Sequence, residues 1–149
     1  MSEVRTTIHI AASPEQVWAV AIDPGRLADW VTIHRALGAV DDGAARAGFH
    51  MDQTLTLRGA PFKVHWTLTE CDAPRRALWH GKGPAGSRAE TEYLLEAHDG
   101  GTRFTYRNEF RAPLGLIGRV AQRALAGQVP KVEAERSLAR LKLLCEETA

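Results

Sequence analysis

The sequence predicts an α+β fold in which a curved antiparallel sheet wraps around a long C-terminal helix. Three observations carry this. Ile117, Val120, Ala121, Ala124 and Leu125 recur at helical spacing, and Ala134, Leu138, Leu141, Leu144 and Cys145 form a second apolar stripe with Ser137 inside it. From Phe49 onward, four stretches alternate apolar and polar residues with the period of half-buried strands. The polar sets on those stretches leave the sheet one wet side, and only the helix over residues 113–147 is long enough to cover the other.

The elements follow in order. Residues 5–10 alternate and are rich in β-branched side chains, which predicts a first strand. Ser13-Pro14-Glu15-Gln16 combines a capping serine, a proline at the first helical position and a glutamine at the capping-box position. Val17, Trp18, Ala21 and Val20 supply that helix with a buried face. Asp23-Pro24-Gly25 stops it, and Asp23 caps a second short helix running to about Trp30. Residues 33–40 form a weak second strand.

Phe49, Met51, Gln53, Leu55 and Leu57 then face inward, as do Phe62, Val64, Trp66 and Leu68. A turn at Gly59-Ala60 would pair Leu57 with Phe62, Leu55 with Val64 and Gln53 with Trp66. Residues 77–82 make a short strand, with Trp79 expected inward. Ala89, Thr91, Tyr93, Leu95 and Ala97 face inward on the next strand. The Asp99-Gly100 turn places Tyr93 opposite Tyr106 and Thr91 opposite Asn108. The two apolar stripes of the last helix are out of phase by about 110°. The helix is therefore expected to kink, or to divide into two abutting helices, at residues 127–130, where Pro130 sits.

The chain of 149 residues reads as one domain, 1–149, with room for a real core. Its net charge of +1 is too balanced for a protein whose main partner is nucleic acid or an anionic membrane. The start of the chain has no signal-like apolar region, and no run approaches membrane-spanning length, so membrane insertion is not expected and a cytoplasmic location is. Cys71 and Cys145 are read as reduced thiols.

His9, His34, His50, His65, His80 and His98 are scattered, without HExxH or CxxC spacing, so no metal and no cofactor are expected. The Gly59-Ala60 register puts His65 opposite Thr54, four residues from His50 along the strand, about 13 Å away. There is no Ser/His/Asp arrangement and no GxSxG, and Gly81-Lys82-Gly83-Pro84-Ala85-Gly86 lacks the ending of a phosphate-binding loop. Glu70 is the one acid at an inward position, at a strand end. Glu133, Glu135, Arg136, Arg140, Lys142 and Glu146 lie mostly off the second stripe and are expected in solvent. Val132, Ala139 and Leu143 form a separate apolar strip, either plain surface or a homodimer contact.

One feature of the inner face stands out. Gln53, Thr91, Tyr93, Tyr106 and Asn108 carry polar groups where the strands otherwise face the core, with Trp66 beside Gln53. Either these groups satisfy one another and buried water, or they line a ligand cavity of the usual kind, apolar with a few convergent polar groups.

Ile8-His9-Ile10-Ala11-Ala12-Ser13-Pro14-Glu15-Gln16-Val17-Trp18, followed by Asp23-Pro24 and Trp30, resembles the opening of the START or birch-pollen-allergen-like superfamily, also called SRPBCC. Pro74-Arg75-Arg76-Ala77-Leu78-Trp79 and Gly101-Thr102-Arg103-Phe104-Thr105-Tyr106 resemble its later hairpins. Within it the chain is most similar to the polyketide cyclase/dehydrase branch. The resemblance implies a helix-grip fold, with seven antiparallel strands on the C-terminal helix and a cavity for a hydrophobic ligand. It also places Trp30 and His34 near the cavity mouth, completing the candidate ligand-binding set Trp30, His34, Gln53, Trp66, Tyr93, Tyr106 and Asn108. No catalytic residue follows from it. Three functions stay open: a cyclase-like protein that binds an aromatic or hydrophobic molecule, a lipid or quinone carrier, and a chaperone-activator-like interaction domain, as monomer or homodimer.

Overall fold

A computed structural model describes residues 2–111 and 129–148. β1 (Ser2–Ile10) leads into α1 (Pro14–Ala21), a single 3-10 turn (Pro24–Arg26) and α2 (Leu27–Trp30). β2 (His34–Val40), β3 (His50–Leu57), β4 (Ala60–Asp72), β5 (Arg76–Lys82), β6 (Arg88–His98) and β7 (Gly101–Arg111) follow, and α3 (Val129–Thr148) closes the chain. The apolar stripe at 117–125 lies outside the described residues. So does the break expected at 127–130, except that Val129 and Pro130 open α3.

The seven strands form one antiparallel sheet in the order β1-β7-β6-β5-β4-β3-β2. The chain leaves β1 at one edge, crosses through α1 and α2 to β2 at the other, and returns strand by strand until β7 lies beside β1. α1 begins as its sequence demands. The Ser13 hydroxyl accepts from the Gln16 amide at 3.2 Å, and the Gln16 side chain accepts from the Ser13 amide at 3.0 Å. Asp23 accepts from the Gly25 amide at 2.9 Å and opens the 3-10 turn. The second helix is thus a 3-10 turn followed by one α-turn.

The β6–β7 hairpin turns at Asp99 and Gly100, both at positive φ (47° and 75°), and pairs Tyr93 with Tyr106 and Thr91 with Asn108, as expected. The β3–β4 hairpin corrects the expected register. Its turn residues are Arg58 and Gly59, at φ 50° and 76°, so Leu57 meets Ala60, Leu55 meets Phe62 and Gln53 meets Val64. The shift is two residues, which leaves every side chain on its expected face. It also brings His65 opposite Asp52, not Thr54, with Nδ1 2.7 Å from the carboxylate.

A bulge in β4 between Leu68 and Glu70 makes a second correction. The extra residue reverses parity. Glu70 is therefore exposed, and Cys71 is half-buried against the core. Trp79 on β5 is buried, edge-to-face with Phe49 at 6.3 Å. Gly81 beside it is required by contact. A Cβ there would fall 2.5 Å from Val64 Cγ1 and 2.9 Å from the Trp66 ring. β2 pairs only with β3 and carries register shifts on both sides of Ala36-Leu37.

α3 buries Ala134, Ser137, Leu138, Leu141 and Cys145. Desolvation pushes the Cys145 thiol up to about 11. Three side chains expected in solvent instead tie this helix down. Glu146 accepts from the Ala11 amide at 2.7 Å, Lys142 donates to the His9 carbonyl at 3.0 Å, and Glu133 accepts from the Thr32 hydroxyl at 2.5 Å. Val132, Ala139 and Leu143 are exposed. No helix among the described residues is long and apolar enough to cross a membrane.

On the outer face of the sheet, Arg107 bridges Glu90 and Glu92 while Arg76 bridges Glu92 and Glu70. Glu92 and Arg107 keep only 12% and 13% of their side-chain surface, so these contacts are screened less than ordinary surface pairs. Burial raises the Glu92 pKa, but hydrogen bonds from Arg76 and Arg107 outweigh it and the net shift is down. Glu90 is lowered first by its bond from Arg107, against a smaller opposing effect of burial. A carboxylate depressed on folding stabilises the fold above its unfolded pKa of about 4.3, and that stability is lost as pH falls through the folded value. The urea midpoint is therefore expected to drop as pH falls below about 4.3, less steeply in Glu92→Gln. Equal acid slopes for the two proteins would remove the network from the account.

Candidate functional site

The inner face of β3 to β7 and the first turns of α3 border a partly open space of about 90 Å³. One water needs roughly 10–15 Å³ on the same measure, so the space is larger than a hydration site. Leu55, Val64, Phe62, Phe110 and Met51 give it apolar walls, and Leu27, Val31 and Ile33 close the side toward α2. Alternation on the strands accounts for most of the lining: Met51, Gln53, Leu55, Val64, Trp66, Tyr93, Tyr106 and Asn108 all stand at inward positions.

Of the seven expected site residues, five line this space: Gln53, Trp66, Tyr93, Tyr106 and Asn108. Trp30 stands behind the lining. It is fully buried and meets Tyr93, Phe104 and Tyr106 edge-to-face at 6.0, 6.4 and 6.4 Å. His34 also lies outside the lining, but reaches it through Gln53.

The polar groups form short chains whose direction can be derived. The Trp66 indole N–H can only donate, and it lies 2.9 Å from Gln53 Oε1. Gln53 Nε2 must then donate to His34 Nδ1, 2.9 Å away, which places the His34 proton on Nε2. Burial lowers the His34 pKa, in keeping with that neutral form. On the opposite wall the Thr91 hydroxyl donates to Asn108 Oδ1 at 2.6 Å, and Asn108 Nδ2 donates to the Tyr106 oxygen at 3.2 Å. Tyr93 and Tyr106 stack at 6.0 Å with 24° between their planes. Desolvation drives both phenol pKa values well above their ordinary value, and for Tyr93 the neighbouring Tyr106 adds to it. Both stay protonated.

A third cluster is not legible in the sequence. Glu133 and Ser137, one turn apart on α3, line the space and hold Thr32 in the loop after α2. The Ser137 hydroxyl accepts from the Thr32 amide at 3.0 Å and donates to the Glu133 carbonyl at 2.9 Å. The i, i+4 spacing shows that Glu133 and Ser137 share a side of the helix, but nothing local points to Thr32. Glu109 also reaches the space and lies 3.5 Å from Arg107 and 3.9 Å from Arg111. Glu70, the acid expected inward, is on the outer face.

Among the described residues no group of three or more His, Cys, Asp or Glu could hold a metal ion. His65 pairs with Asp52, and His50 with Asp41, whose carboxyl is lowered first by the hydrogen bond from the His50 amide.

Comparison with known proteins agrees with this architecture. The crystal structure of a Thermus thermophilus protein, TTHA0849, superposes with a TM-score of 0.80 at 21% identity, over 99% of each chain. A Chromobacterium violaceum protein superposes at 0.72 with 19% identity, over 98% of this chain and 99% of its own. The toxin Rv0910 of Mycobacterium tuberculosis is 22% identical over 131 residues, 87% of this chain and 91% of the toxin. At these identities the likeness establishes the fold. A model of the family described as polyketide cyclase/dehydrase and lipid transport matches residues 1–146. Nearly the whole chain carries that pattern, on a helix-grip fold of seven antiparallel strands and a C-terminal helix, and so the protein belongs to the polyketide cyclase/dehydrase and lipid transport family.

Proposed function

We propose that this protein binds a hydrophobic or aromatic small molecule between the sheet and α3. One observation carries the reading. The space exceeds a water site, and its walls combine apolar side chains with hydrogen-bonded groups at Gln53, Trp66, Thr91, Tyr106 and Asn108. That composition is characteristic of ligand sites. A core filled by its own side chains, as an interaction domain would have, leaves no such volume.

Binding or transport is favoured over acid–base turnover. The acids that border the space are engaged, Glu133 with Thr32 and Arg136, Glu109 with Arg107 and Arg111. Residues 112–128 contain no Asp, Glu or His that could add a base. A cyclisation that needs only a shaped pocket and hydrogen-bond donors remains compatible with the same walls.

Native mass spectrometry of the protein purified from its own host tests the reading. A stoichiometric adduct, weakened in Asn108→Leu, is the expected result. The chain mass alone, together with tryptophan fluorescence indifferent to small aromatic compounds, would remove the ligand site.

A further inference from the structure

Donors and acceptors around the space do not balance. The Trp66 indole N–H is used by Gln53, the Gln53 amide by His34, the Thr91 hydroxyl by Asn108 and the Asn108 amide by Tyr106. These chains consume the amide oxygens of Gln53 and Asn108, and the Glu109 carboxylate is engaged by Arg107 and Arg111. Hydrogens are left over: the Trp79 indole N–H has no partner among the described residues, and neither phenol O–H has an acceptor there. Tyr106 accepts from Asn108, and its own O–H has no acceptor among the described residues. The Tyr93 hydroxyl has no hydrogen bond among the described residues, although Tyr93 is only 5% exposed.

The two phenols are placed to act together. Tyr93 and Tyr106 are direct partners across β6 and β7. Their rings are near-parallel and share one support, the edge-to-face Trp30. Both hydroxyls therefore leave the sheet in the same direction. Donation from Asn108 polarises the Tyr106 hydroxyl and makes it a better donor. No Lys, Arg or His stands among the described lining residues, whereas two Glu do. An anionic acceptor would find no countercharge among the described lining residues.

We infer that Tyr93 and Tyr106 form a two-donor seat for the carbonyl oxygen of a neutral aromatic ketone or quinone. This rests on the ligand-binding reading above and narrows it to a chemical class. A carbonyl oxygen has two lone pairs and brings no hydrogen of its own, so it satisfies both phenols at once. A hydrocarbon leaves both unsatisfied. An alcohol answers them only by adding a further hydrogen to a donor-rich wall.

The test compares 1-tetralone with tetralin, which has the same carbon skeleton without the oxygen. Both are titrated into the full chain by calorimetry, and the carbonyl stretch of bound 1-tetralone is recorded by infrared spectroscopy. Two hydrogen bonds predict that the ketone binds roughly tenfold tighter or better, with its stretch displaced to lower frequency than in hexane. In Tyr93→Phe/Tyr106→Phe the preference and the displacement should both vanish. If that variant fails to fold, the wild-type preference and frequency decide the matter, with each single Phe variant expected to lose part of both. Equal binding of the two compounds by the wild type, or a preference that survives in the folded double variant, overturns the carbonyl seat and leaves the cavity reading standing. Binding of neither compound overturns both.

Discussion

Trp30→Ala is expected to cost about 3–5 kcal/mol of stability, the range for truncating a large aromatic side chain in a close-packed interior. Trp30 is fully buried, and Tyr93, Phe104 and Tyr106 meet its ring within 6.4 Å. Its indole N–H has no hydrogen-bond partner among the described residues, so the loss is one of packing and buried area. It sits at the end of α2, on a single α-turn that has too few hydrogen bonds of its own to persist without tertiary contacts. Removing the ring thus frees both the helix and the tyrosines. Urea denaturation should show the full loss in Trp30→Ala and a smaller one in Trp30→Phe. A shift no larger than that of a surface substitution, about 0.5 kcal/mol, would mean the ring is not the common support of α2 and the tyrosine wall.

Gly81→Ala is expected to destabilise the protein by about 2–3 kcal/mol, at the upper end of overpacking costs. The added methyl would lie 2.5 Å from Val64 and 2.9 Å from two atoms of the Trp66 ring. Val64 is fully buried, and Trp66 is fixed by its bond to Gln53, so neither can move without loss. The ring can yield only toward the ligand space, which breaks the Trp66–Gln53 bond. Stability and binding should therefore fall together in Gly81→Ala. A variant as stable as the parent that still binds small aromatic compounds would show that the sheet can shift to admit the methyl.

The fold is legible because the strands announce themselves by alternation, and because alternation tolerates error. The β3–β4 turn departs from expectation because Arg58 occupies a left-handed position that usually belongs to Gly or Asn, so Gly59 reads as the first turn residue when it is the second. A two-residue slip preserves facing, and Gln53 and Trp66 reach the space despite it. A one-residue insertion is less forgiving. The bulge before Glu70 reverses that acid and Cys71, and no local pattern marks it. Tyr93, Tyr106 and Asn108 are readable because Asp99-Gly100 sets their register. Trp30 and His34 depend on how α2 meets the sheet, and the grip of Glu133 and Ser137 on Thr32 joins segments about a hundred residues apart. Distances of that kind are written in the packing, not in any window of sequence.

The two register shifts in β2 bear on solubility. β2 is an edge strand, and Ala36-Leu37-Gly38-Ala39-Val40 runs along it without a charge, with Leu37 and Val40 each 36% exposed. A regular edge of that composition is a template on which another chain can add a strand, the first step toward aggregation. Its irregular pairing on both sides of Ala36-Leu37 interrupts the spacing that an incoming strand would have to match. β1, at the other edge, alternates Glu3, Arg5, Thr7 and His9 along its length, and charge performs there the protection that irregular backbone performs on β2.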